Sequence, residues 1–306
     1  MIISCGEALV DLLPYAVLGG GPMNAAVASR RLGAPTAFVG RVSTDVFGQS
    51  IWKLLTENDV DTRLCERGDE PTARAIVEHV PHLAFRFEGE STADTMLERV
   101  AIERLDPGPH IVHGGTLGMF RGRTAEVLAQ FVESTRAVVS LDPNVRPAII
   151  TDRGQWEHFH QRWLRHAHIY RGSEEDIDWI FPGRPAADVA AELLAAGVKA
   201  VLITRGAAGV TVHLRDAEFV IPPSLVEVID TVGAGDTFVG ALLSGIWHAG
   251  VLTAGTGLSP ADALDALTVD DWRALTIRAS AAAAITCSRS GADPPTTVEL
   301  ETFLAR

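Results

Sequence analysis

Val228-Ile-Asp-Thr-Val-Gly-Ala-Gly-Asp-Thr-Phe-Val-Gly-Ala-Leu-Leu243 is the stretch that decides how this chain is read. Gly233, Ala234 and Gly235 close a loop and open a long apolar helix, which leaves bare backbone N–H groups at a helix N-terminus. Unpaired amides and the helix dipole both favour negative charge, so the segment predicts an anion site. Asp236 falls in the first turn, facing the same pocket. A carboxylate there repels a bound phosphate unless it has a task, and accepting the proton of an attacking hydroxyl is one such task. Capping the helix is another, because Asp is common at helix starts. Spacing alone leaves both open.

Working outward, short apolar runs alternate with amphipathic stretches. Ile2 to Ser4, Ala37 to Val39, Ile111 to His113, Val138 to Asp142, His168 to Arg171 and Ala200 to Thr204 read as buried parallel strands. Helical patterns lie between them at Asn24 to Leu32, Gly48 to Glu57, Thr124 to Ser134, Trp156 to Leu164 and Ala187 to Ala196. This is βαβ order around a mainly parallel sheet. Thr72 to Phe87 breaks the rhythm as two strands joined at Pro81 and His82, an inserted hairpin that predicts a lid. A second hairpin is expected at Val210 to Leu214 and Glu218 to Ile221. Leu12 to Ser29 is uncharged and of membrane-spanning length, but Pro14, Gly19 to Gly21, Pro22 and Asn24 make it a loop leading into a helix. No linker divides the chain, so residues 1–306 are expected to form one domain.

Composition narrows the function. The 306 residues carry a net charge of -13, with 47% hydrophobic and 21% charged residues, which is globular composition. An acidic chain is a poor partner for nucleic acid, and no membrane partner is expected. Lys53 and Lys199 are the sole lysines among 26 basic residues, and neither sits between glycine and Ser or Thr, so a Walker-type phosphate loop is excluded. Cys5, Cys65 and Cys287 are too far apart for a CxxC pair. With no charged start of a secretory signal, a cytoplasmic location is expected.

Several further runs share one family order. The Asp230-Thr-Val-Gly-Ala-Gly-Asp236 run resembles the signature of the ribokinase-like carbohydrate kinases. Gly6-Glu7 through Asp11 and Gly19-Gly-Gly-Pro-Met-Asn24 resemble that family's sugar-binding strand end and helix start. Gly40 to Gly48 (GRVSTDVFG) follows, with Ser43 in place of a glycine, and Asp142-Pro-Asn-Val-Arg146 resembles the DxNxR motif of fructokinases and 2-keto-3-deoxygluconate kinases. Ser173-Glu-Glu-Asp176, Thr204-Arg-Gly206 with Gly209, and Ala279 to Ala284 with Gly291-Ala292 complete the set. The resemblance implies a ribokinase-like three-layer α/β fold, with helices on both faces of the sheet and a small β lid.

It also implies roles. Asp236 would be the base and the Gly233, Ala234 and Gly235 amides the anion hole. Asp11, Gly19, Gly20 and Asn24 would hold sugar hydroxyls, and Arg146 would clamp phosphate oxygens or a substrate group. Ser173, Thr204, Gly206, Gly209 and Ser280 would line ATP, with the helix Ile277 to Ile285 as one wall of the base slot. Mg²⁺ is usually ordered by an NxxE motif; Ser173 and Asp176 stand at those places, so Asp176 is expected to act through water. Asp230, with backbone oxygens near Val232, Thr286 and Gly291, would hold a monovalent cation such as K⁺, although Pro295 falls where a hydroxyl ligand can occur.

Charge separates the two candidate substrates. The lid run Phe87-Glu-Gly-Glu-Ser-Thr-Ala-Asp94 places Glu88 and Glu90 where a keto acid needs positive charge, so a neutral ketose, fructose, is expected. The interval from Asp11 to Gly19 is shorter than is usual in the family. Edge strands of such lids pair between subunits, so a homodimer through the lid is expected. Two other classes remain: a non-catalytic nucleotide or sugar sensor, and an NAD-dependent dehydrogenase, whose GxGxxG spacing Gly19-Gly20-Gly21 lacks.

Overall fold

A computed structural model describes residues 1–12, 16–78, 84–105, 108–250, 252 and 259–306. In chain order its elements are β1 (Ile2–Cys5), β2 (Leu9–Leu12), β3 (Ala16–Gly19), α1 (Gly21–Arg31), β4 (Thr36–Ser43), α2 (Val46–Glu57), β5 (Cys65–Gly68), β6 (Arg74–Glu78) and β7 (Ala84–Glu88). There follow β8 (Ile111–Gly115), α3 (Gly122–Ser134), β9 (Val138–Asp142), α4 (Arg153–Leu164), β10 (Ile169–Ser173), α5 (Glu174–Ile180), α6 (Ala186–Ala195) and β11 (Ala200–Thr204). β12 (Val210–Leu214), β13 (Ala217–Ile221), α7 (Ala234–His248), α8 (Pro260–Ala263), α9 (Val269–Cys287) and α10 (Thr297–Leu304) complete the chain.

Nine strands form one sheet in the order β13-β12-β11-β10-β9-β8-β1-β4-β5. All neighbours from β11 to β5 are parallel, and β12 pairs antiparallel with both β11 and β13. Successive strand residues point to opposite faces, so two apolar layers result. Ile3, Val112, Val139, Tyr170 and Val201 meet Leu128, Trp156, Trp163 and Val189 from α3, α4 and α6. Ile2, Ile111, Val138, Ile169 and Leu202 meet Phe238, Leu242, Ala279 and Ala282 from α7 and α9. The α/β fold with helices on both faces is the one the sequence predicts. No helix among the described residues is long and apolar enough to cross a membrane.

Four short strands form a second sheet in the order β3-β2-β6-β7. The expected hairpin pairing is seen in β6 and β7, antiparallel with Ile76 opposite Arg86. Its turn at Pro81 and His82 lies outside the described residues. The loop reading of residues 16–19 is corrected: they pair antiparallel with β2, Asp11 opposite Val17 and Leu9 opposite Gly19. Partner strands, not side-chain alternation, make this segment extended, so no period shows in the sequence.

Two features of this fold position the site. The parallel strands end together, placing Glu7, Thr116, Asn144 and Ser173 at the carboxyl edge of the sheet, where open α/β sheets bind ligands. Gly240 lets α7 approach α1, since a Cβ there would stand 2.7 Å from the Ala25 carbonyl oxygen and the Ala28 Cβ. That approach brings the starts of both helices together.

Candidate active site

The start of α7 has no side-chain cap. Gly233 occupies the N-cap position with φ 75°, a left-handed conformation that glycine adopts without strain. A Cβ on Gly233 would also stand 2.5 Å from the Ala292 Cβ. The loop before it is held by Asp230, whose carboxylate accepts from Val232 N at 3.0 Å and Gly291 N at 2.9 Å. These two backbone donors hold its carboxyl below the ordinary Asp range. Residues 61 positions apart are thereby clipped together beside the start of α7.

Asp236 faces a cavity of about 520 Å³, walled by Asp11, Gly20, Asn24, Arg146, Val232, Gly233 and Gly235 among others. Its Oδ2 accepts from Asn24 Nδ2 at 2.8 Å. Burial raises the Asp236 carboxyl above its ordinary value, opposed by the Asn24 hydrogen bond and by the charges of Arg146 and Arg171. Asp11 is raised as well, first by desolvation, with Arg146 opposing and Asp236 adding to it. A raised carboxyl beside an uncapped helix start can take up a proton close to bound anionic oxygens.

The remaining expected residues fall into three groups. Gly19 and Gly20 pack beside Asp11 and Glu7: a Cβ on Gly19 would sit 2.8 Å from Asp11 Oδ2, and one on Gly20 would meet the Glu7 carbonyl oxygen at 2.5 Å. Ser173 and Asp176 line the cavity but form the capping box of α5. Asp176 accepts from Ser173 N at 2.8 Å through Oδ2 and from Val145 N at 2.7 Å through Oδ1. Both its oxygens are thus engaged in structure, while the neighbouring Glu175 is exposed at the cavity wall. Thr204, Gly206 and Gly209 sit at the end of β11 and the turn after it, outside the cavity wall. Ser280 and Thr286 are buried on α9; the Thr286 hydroxyl lies 3.0 Å from Thr237 Oγ1, and its carbonyl accepts from Arg289 N at 3.0 Å.

Sequence reasoning missed Arg171. The residue is 8% exposed, and its guanidinium is held by Asp142 Oδ2 at 2.8 Å and Thr204 Oγ1 at 2.7 Å. It lies directly under the start of α7: a Cβ on Gly235 would stand 3.1 Å from both its Nη atoms. Burial pushes the Asp142 carboxyl up to about 6, with Arg171 opposing and Asp176 and Asp236 adding. The signal was available, since an arginine closing a run read as a buried strand requires a partner. Glu7 was noted only as part of a motif, yet it fixes the pocket floor. Its carboxylate accepts from Thr116 Oγ1 at 2.5 Å, Gly118 N at 2.8 Å and Gly21 N at 3.2 Å.

Known proteins resemble this chain in sequence and in fold. A model described as pfkB family carbohydrate kinase matches residues 16–298. A fructokinase of Rhizobium leguminosarum bv. trifolii is 34% identical over 267 residues, covering 83% of this chain and 82% of the relative. The crystal structure of a fructokinase with bound ATP from Xylella fastidiosa superposes with a TM-score of 0.86 at 27% identity, covering 99% of this chain and 98% of that one. A fructokinase from Vibrio cholerae O395 in fructose, ADP and calcium ion bound form gives a TM-score of 0.79 at 25% identity, covering 99% and 98%.

Proposed function

The chain belongs to the pfkB family of carbohydrate kinases and is an ATP-dependent sugar kinase, and from that premise we propose that it is a fructokinase in which Asp236 is the catalytic base. The observation that carries the assignment of the base is the Asn24–Asp236 hydrogen bond at the uncapped start of α7, inside a cavity that also holds Asp11 and Gly20. Asp11, Asn24 and the backbone at Gly19 and Gly20 hold the acceptor hydroxyls. Asp236 removes the proton of the attacking hydroxyl as the oxygen bonds to the γ-phosphorus and ADP leaves. The Gly233, Ala234 and Gly235 amides, with Arg171 beneath them and Arg146 across the cavity, stabilise charge on the transferring group. Most of the acceleration is positioning and electrostatics.

The donor set suits a metal that arrives with the nucleotide. Among the described residues no cluster of three or more His, Cys, Asp or Glu side chains forms a cage, and Mg²⁺ usually keeps several waters. Glu175 and Ser173 are the groups that would hold it through water, Asp176 acting by fixing Ser173. Magnesium, when bound, neutralises phosphate charge. The Asp230 clip brings Val232 and Gly291 to one place, which supports a monovalent-cation site completed by backbone oxygen at Thr286. Thr204, Gly206, Gly209 and Ser280 would flank the nucleotide further out.

Fructose is favoured by the lid charges. Glu88 pairs with both Arg74 and Arg86, and neither arginine lines the cavity, so among the described residues these lid arginines are not presented to an acidic sugar. We read residues 1–306 as one catalytic unit, and the edge strands β3 and β7 as a dimer contact through the lid. The test is ADP release coupled to sugar-phosphate detection with fructose, ribose, 2-keto-3-deoxygluconate, adenosine and glucose, with and without K⁺. Fructose-dependent turnover that disappears in Asp236→Ala supports the assignment. Turnover with the keto acid alone removes the lid-charge argument and keeps the mechanism. ATP binding without turnover of any sugar marks a sensor.

A further inference from the structure

A latch at the base of the lid bears on which acceptors fit, and this inference rests on the sugar-kinase reading above. Phe87, at the end of β7, lines the reaction cavity. It also lines a second cavity of about 610 Å³, and Ile149 is the other residue common to both. Phe87 and Ile149 are therefore the partition between the two spaces. The second cavity is walled by Thr95, Met96, Phe120, Arg121, Ala148 and Gln155 among others.

The Phe87 ring is held from behind. The Arg121 guanidinium stacks over it with Cζ 4.7 Å from the ring centroid. Arg121 Nη2 donates to the Gly89 carbonyl, and Nη1 donates to Asp94 Oδ2 at 2.9 Å. Both partners are withdrawn from water, the Asp94 side chain at 2% exposure and that of Arg121 at 13%. Thr92 closes the network, its hydroxyl lying 2.5 Å from Asp94 Oδ1 and 2.8 Å from the Gly89 carbonyl oxygen. A side chain on residue 89 would run into Phe87 and Arg121, so glycine leaves the arginine room to enter. Arg121 itself is the N-cap of α3, whose Leu128 and Val132 are in the main core. The stack thus ties a lid strand to the rigid sheet.

We propose that Arg121, anchored by buried Asp94, is a positioning residue that fixes Phe87 as the end wall of the acceptor cavity and so limits acceptor length. A planar guanidinium serves because it covers a ring face while its fork holds two oxygens. Removing the wall joins the two cavities, which weakens a compact sugar and admits a longer one.

Initial rates are measured for fructose and for the seven-carbon ketose sedoheptulose in the full-length wild type, Phe87→Ala, Arg121→Gln, Arg121→Lys and Asp94→Asn, with ATP KM and thermal midpoint recorded for each. In Phe87→Ala and Arg121→Gln the fructose KM rises about tenfold and the sedoheptulose-to-fructose ratio of kcat/KM rises by a similar factor, while kcat and ATP KM shift by less than about twofold. Arg121→Lys, which keeps the charge without the fork, falls between these and wild type. Asp94→Asn loosens the latch without stranding a buried carboxylate and shifts the ratio the same way, which keeps the test open should Arg121→Gln fold poorly. Folded variants with wild-type fructose KM and ratio overturn the proposal, as does an equal loss of kcat for both sugars at unchanged KM. A wild type that phosphorylates no sugar defeats the kinase reading itself; a wild type active on fructose with indifferent variants defeats this inference alone.

Discussion

Helices α5 and α7 both begin at the carboxyl edge of the sheet, and both starts border the same cavity, but they are finished differently. At α5, Ser173 and Asp176 form a reciprocal capping box, and Asp176 also takes the Val145 amide. At α7 the N-cap is a left-handed glycine and no side chain satisfies the first turn. Covering a helix start stabilises a fold, and a start left without a side-chain cap beside a carboxylate is the one suited to an anion. In the proposed mechanism the covered start serves the scaffold and the bare one serves the ligand.

That contrast is broken most sharply by Asp236→Ala. Loss of the base is expected to lower kcat by about a thousandfold, in the range general-base removal spans, with ATP affinity by calorimetry largely kept. Gly233→Ala tests the bare start itself. The added Cβ meets Ala292 and the left-handed φ, so the amides shift, and kcat should fall by about a hundredfold as for the loss of an oxyanion donor. Asp176→Ala tests the covered start: it strands the Ser173 and Val145 amides, and urea denaturation should show a loss of about 2 kcal/mol.

Protonation sharpens the comparison further. In the proposed mechanism Asp236 works ionised, and its carboxyl is raised by burial, so the acid limb of kcat against pH should lie above the ordinary Asp value of 3.8. Asn24 donates to the ionised form, so Asn24→Ala moves the limb to still higher pH; a limb that stays in place or moves down would separate Asn24 from the base. The smallest effect is expected far from the site. Thr268 caps α9 with Asp271 just as Ser173 caps α5, and Thr268→Ala should cost about 1 kcal/mol in the same denaturation assay with kcat unchanged.

Much of this was legible in the chain. The βαβ order, the start of α7 and the joint occurrence of Asp11, Asn24 and Asp236 follow from periodicity, glycine placement and family resemblance, because each depends on local pattern. What stayed hidden depends on partners distant in sequence. β3 is extended only because β2 lies beside it. Arg171 matters because Gly235 comes to rest on it from 64 residues away, and nothing local to either residue announces that contact. Arg121 was invisible for the same reason, being 34 residues and the strand β8 removed from the ring it holds. The lid was read as one hairpin where two pairs of strands exist, since four-residue strands leave too few positions for a period to register.

The Asp230 clip carries a consequence for how much of the chain the site needs. The anion hole is flanked by Gly291 and Ala292, while the pocket floor it faces is set by Glu7. The first two-thirds of the sequence supplies every strand from β1 to β11, but not Asp230, Asp236 or Gly291. The cavity is therefore assembled from both ends of the sequence, and no fragment lacking either Glu7 or Gly291 contains it whole.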